Sequence, residues 1–179
     1  RLVFLEAVTF HNETNPPRTL MRPEGNFQFS KLRGILVPPE IRVTPPGSMM
    51  PVILSALESP DGRSYYSLYP IKPGITAFEA QQVLPYKDHN YLFKKVFYHD
   101  AASVDIGVIP ADMVLSGSGL QHVATDRQQN FSVYRMGPVK SGTEITWILS
   151  GGSVPTQKQV DESETEPSVV AVPDFIHRN

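Results

Sequence analysis

Five histidines, His11, His89, His99, His122 and His177, are the side chains with the widest chemical range in this chain. A metal site needs ligands that converge, and in sequence this shows as pairs at i, i+4 or across a short loop. No histidine pair has that spacing, so no metal site is expected. The remaining route would be a fold that brings His89 and His99 together across strands. The chain has no cysteine. Thiol catalysis, thiolate zinc sites and disulfides are excluded together.

Leu115-Ser116-Gly117-Ser118-Gly119 approaches the nucleophile-elbow pattern. It departs from it because Ser116 stands where glycine is needed and no helical segment follows. The same glycines do not make a dinucleotide loop, since His122 occupies the place of the third glycine. The acidic run Asp161–Glu166 lacks the glycine-centred ligand spacing of a calcium loop and reads as a solvated linker. Asn12-Glu13-Thr14 and Asn130-Phe131-Ser132 fit the glycosylation sequon and are read as chance matches. No catalytic constellation, metal or cofactor is therefore expected, and the chain is read as a non-enzyme.

Two groups of residues could make contacts instead. Tyr65, Tyr66 and Tyr91 belong to an aromatic-rich region that could stack on sugar rings, with core packing as the competing account. Val169, Val170, Val172, Phe175 and Ile176 form an apolar stretch suited to docking on a partner.

The elements that carry these residues follow from pattern. Tyr69–Tyr86 is the organising stretch. Pro73-Gly74 supplies the φ preferences of a type II turn. Ile75 to Val83 then runs free of glycine and proline, and Leu84-Pro85 closes it. A strand is expected, with a helix over Ala77–Val83 as the competing reading. The turn has an echo at Pro138–Thr143, which leads into Thr143–Leu149. Two copies do not make a repeat array.

Alternating or β-rich runs recur at Leu2–Phe10, Asn26–Ser30, Glu40–Thr44, Pro51–Leu57, Arg63–Tyr69, Tyr91–Tyr98, Ser103–Ile109, Asp112–Leu115, Leu120–Thr125, Asn130–Arg135 and Thr143–Leu149. Within them Phe27 and Phe29, Ile41 and Val43, Tyr91, Phe93 and Phe97, Phe131 and Val133, and Ile145, Trp147 and Leu149 are the expected inward residues. Ser59-Pro60-Asp61-Gly62 reads as a hairpin turn. About ten to twelve short strands with turn signals every 8–12 residues predict an all-β antiparallel sandwich, Ig-like or transthyretin-like. No segment has the periodicity of an amphipathic helix, which argues against βαβ units.

The expected division is a sandwich over 1–150 and an extended acidic tail over 151–179, too polar to fold alone. At 179 residues with net charge −2, the chain has no electrostatic footprint for nucleic acid. It holds no apolar run of bilayer-spanning length. Starting at Arg1 inside a strand-like run, it reads as a piece of a longer or processed protein, with membrane contact only through segments outside it.

Phe10–Thr19, Pro46–Pro51, Tyr69–Phe78 and Leu84-Pro85-Tyr86 together resemble a β-sandwich module of envelope proteins from Acidobacteria-like bacteria. Those proteins often carry an upstream carboxypeptidase-regulatory-like (transthyretin-like) domain and a downstream membrane helix. The resemblance spans Leu2 to Gly151 and implies a non-catalytic accessory sandwich. It points to a periplasmic or extracytoplasmic place, and to protein partners in a membrane-associated complex. It carries no functional residues with it. A carbohydrate-binding module using Tyr65, Tyr66 and Tyr91 is the alternative.

Overall fold

A computed structural model describes residues 1–152; positions 153–179 fall outside the described part. The tail residues Val169, Val170, Val172, Phe175 and Ile176 therefore lie outside the described residues. Within it the chain is all-β, with thirteen strands and antiparallel pairing throughout. The strands are β1 (Leu2–Asn12), β2 (Phe27–Ser30), β3 (Glu40–Thr44), β4 (Val52–Ser55), β5 (Leu57–Glu58), β6 (Ser64–Ser67) and β7 (Gly74–Leu84). They continue with β8 (Asn90–Val96), β9 (Val104–Val108), β10 (Met113–Gly117), β11 (Leu120–Asp126), β12 (Phe131–Met136) and β13 (Glu144–Gly151).

Two pairs of sheets build the sandwich. The sheet β1-β7-β3-β4 faces β2-β6-β5, and β10-β13-β8 faces β11-β12-β9. Each pair encloses an apolar cluster. Phe27, Phe29, Ile41, Val43, Tyr65 and Phe78 fill the first; Phe93, Leu115, Tyr134, Met136, Trp147 and Leu149 are among those filling the second. β1 joins the two, since Leu2 and Phe4 pack on the second cluster while Val8 and Phe10 pack on the first. Ser30 Oγ reinforces the seam by accepting from the Val96 amide at 2.7 Å and donating to the Val96 carbonyl at 2.9 Å.

β7 settles the strand-or-helix question, because Gly74–Leu84 pairs along its whole length with β1, from Asn12↔Gly74 to Leu2↔Leu84. Its inward face is Thr76, Phe78, Ala80, Gln82 and Leu84. The imperfect alternation in sequence comes from Gln82, a polar side chain on the buried face. Its Oε1 accepts from the Leu32 amide at 3.0 Å and its Nε2 donates to the Ser30 carbonyl at 2.9 Å. Burial of such an amide is tolerated because these bonds satisfy it.

Two expectations are corrected. The run Pro51–Leu57 is not one strand but β4 and β5, in different sheets, broken at Ala56. On β12 the inward residues are Ser132, Tyr134 and Met136, not Phe131 and Val133. Both faces of that strand carry apolar side chains, so pattern alone could not choose between them. The Tyr134 hydroxyl stays satisfied in the interior by accepting from the Leu115 amide at 3.2 Å.

Gly151 shows why backbone chemistry ends β13 where it does. Its φ is +85°, and a Cβ placed there would stand 2.7 Å from the Asp112 carbonyl oxygen. Only glycine combines that conformation with so close an approach.

Candidate functional site

The four described histidines do not converge, and His177 lies outside the described residues. His89 lies against Tyr86, with Nδ1 2.7 Å from the Gly152 carbonyl oxygen. His99 packs between Phe10 and Phe27, with ring centroids at 5.0 and 6.1 Å. His122 contacts Thr125 Oγ1 at 2.8 Å, and His11 is exposed on β1. Among the described residues no three His, Asp or Glu side chains come close enough to hold a metal ion. Gly117-Ser118-Gly119 is a turn between β10 and β11, which belong to different sheets.

The three tyrosines do not form a shared platform. Tyr65 is buried in the first cluster against Phe29, at 5.8 Å between ring centroids. Tyr66 points to the opposite face of β6 and covers Gly25. Tyr91 is buried in the second cluster, 4.6 Å from Phe93, and its hydroxyl donates to the Arg33 carbonyl at 2.7 Å. Two of the three rings are thus engaged in packing, which leaves no exposed stacking surface made of these residues.

His99 carries a measurable consequence. Burial, then the nearby Arg22 charge, holds its pKa below the ordinary histidine value. The Gln28 amide donates to Nε2 at 3.2 Å, a bond that needs this nitrogen unprotonated. A depressed folded-state pKa means the unfolded chain takes up a proton first as pH falls. Stability from this residue is therefore complete above the unfolded value near 6.5 and declines as pH drops toward the folded one. Thermal melts between pH 7.5 and 5 should show a falling midpoint in the natural protein and a flatter profile in His99→Phe; identical slopes would remove His99 from the account.

The feature that stands out is a cleft of about 860 Å³ between β1 and β9. Every residue from Leu2 to Thr9 and from Tyr98 to Ile109 lines it. Side chains alternate along a strand, so an unbroken run of lining residues means that the cleft meets backbone edges rather than one face. Both strands end their sheets. β1 pairs only with β7, and β9 only with β12. Their other edges pair with no strand among the described residues.

Inside this cleft lies a charge pair that the sequence reading did not single out. Glu6 Oε1 stands 2.6 Å from Lys95 Nζ, with the two side chains 13% and 4% exposed. The Lys95 ammonium also lies 4.8 Å from the Phe97 ring centroid and 6.0 Å from that of Phe4. Glu6 Oε2 is buried without a hydrogen-bond partner. The signal was legible: Glu6 is the sole charge of its strand, and Lys95 occupies the inward phase between Phe93 and Phe97. Charges on the apolar phase of a strand must find each other or stay out of the fold.

No protein-family model, no curated protein and no solved structure matches this chain.

Proposed function

We propose that this chain is a non-catalytic β-sandwich interaction module, an accessory or structural subunit of a membrane-associated envelope complex outside the cytoplasm. The observation that carries the reading is the free edge of β1. It is eleven residues long and contains neither proline nor glycine. Folded proteins guard such edges with proline, bulges, charges or a covering segment, because bare strands pair with other chains. On the outer face of the same strand, Val3 and Leu5 are 57% and 56% exposed. An apolar outer face beside an unpaired edge suits contact with another protein. The extracytoplasmic and membrane-associated parts of the reading draw support from the resemblance of Phe10–Thr19 and Tyr69–Phe78 to envelope modules.

The test is the native mass of the protein extracted from membranes in mild detergent, with mass spectrometry of co-eluting chains. Elution in a large assembly of constant composition is expected. Elution as a lone chain from the soluble fraction would overturn the reading.

A further inference from the structure

We propose that the β1/β9 cleft is a strand-insertion site, taking an extended, apolar, proline-free segment of a partner protein between the two edges and pairing with both; this rests on the interaction-module reading. β1 and β9, each with one edge that pairs with no strand among the described residues, both line this space, and the ligand that satisfies a strand edge along its length is another extended backbone. The free run on β1 is eight residues, Leu2 to Thr9, and β9 offers five, Val104 to Val108.

The walls define the occupant's side chains. Phe4, Val104 and Ile106 are half-buried apolar residues lining the cleft, over a floor of the buried Phe93, Phe97 and Trp147. An inward-pointing charge on an edge strand normally deters insertion. Glu6 is such a charge, but Lys95 neutralises it in place. Asp105 on β9 is drawn away by Arg135 on β12, at 2.6 Å. The edges are thus left without the charge that would repel an apolar strand.

The partner is another protein rather than this chain's own tail or a second copy. Positions 153–179 contain one apolar stretch without proline that has strand composition, Ser168–Val172. Pro167 and Pro173 bracket it to five residues, and Asp161, Glu162, Glu164 and Glu166 precede it. That is shorter than the run β1 leaves open, and its flank is acidic. A second copy pairing β1 to β1 would satisfy one edge of each chain and leave β9 bare.

The probe is a fluorescent peptide of alternating valine and threonine with a lysine at each end, titrated against the full chain. Successive residues of a strand direct their N–H groups to opposite edges. N-methylation of the odd positions therefore disables pairing with one edge, and of the even positions with the other. Saturable binding is expected, with each methylated series about a hundredfold weaker, from three or so lost ladder bonds. Loss in one series alone would show pairing to a single edge and overturn insertion. Binding only to the V169D/V170D/V172D variant would assign the cleft to the chain's own tail and overturn the partner. Absence of binding to both proteins would overturn the site. If co-eluting membrane partners persist in that last case, the interaction-module reading stands and insertion alone falls.

Discussion

Lys95→Ala lowers the unfolding free energy by an expected 3–5 kcal/mol or so. The substitution leaves the half-buried Glu6 with no counter-charge, and its buried Oε2 already lacks a partner. A large part of the loss is the cost of that stranded carboxylate, not the value of the ion pair. The double variant Glu6→Leu with Lys95→Met separates the two. It removes both charges and retains apolar volume, so its stability should lie close to that of the natural protein, or above it. Urea unfolding of the three proteins at neutral pH checks this. Equal losses in the single and double variants would mean that the pair itself is a net source of stability. Glu6 sits on β1 and Lys95 on β8, so the pair also fixes how the seam between the two halves closes.

Phe78→Ala is expected to cost about 3–5 kcal/mol. Its ring has no solvent exposure and lies 5.1 Å from Phe27, 5.6 Å from Phe10 and 6.3 Å from Tyr69. Truncation opens a cavity bounded by three other rings, of which Phe10 and Phe27 are held by strand pairing, so the site collapses poorly. The melting midpoint should fall by roughly 10 °C, given about 2–4 °C per kcal/mol for chains of this size. Ile75→Ala on the same strand is the control. It is 55% exposed on the opposite face, and its change should stay within about 0.5 kcal/mol. A single transition should be retained by Phe78→Ala. The Ser30–Val96 bonds and the Glu6–Lys95 pair cross between the two clusters and couple their unfolding. Two resolved transitions, with one unmoved, would show that the halves melt independently.

The positions of most strands were legible because they depend on local rules. Alternation at Asn26–Ser30 and Glu40–Thr44, and the proline and glycine punctuation around Ile75–Val83, placed β2, β3 and β7 within a residue or two. The hairpin at Ser59–Gly62 followed from turn chemistry, and Gly62 has the left-handed φ of +67° that its position requires. Legibility stopped where both faces of a strand were apolar, as at Phe131–Met136. It stopped also where a break had no glycine or proline to mark it, as at Ala56.

The sequence by itself determined the class of the fold, the all-antiparallel character of its short strands, and the lack of any thiol chemistry. These depend on side-chain period, turn residues and composition, which are properties of neighbouring positions. The tertiary structure alone decided which edges stay unpaired among the described residues. β1 and β9 are separated by about ninety residues of chain, and nothing local to either records that they face the same cleft. It also decided the fate of the charges and rings. Glu6 and Lys95 meet because β1 crosses from one cluster to the other, while Tyr65 and Tyr91 are drawn into separate interiors. Sheet order is set by long-range pairing and by the burial of whole faces, and neither is written in any single stretch of the chain.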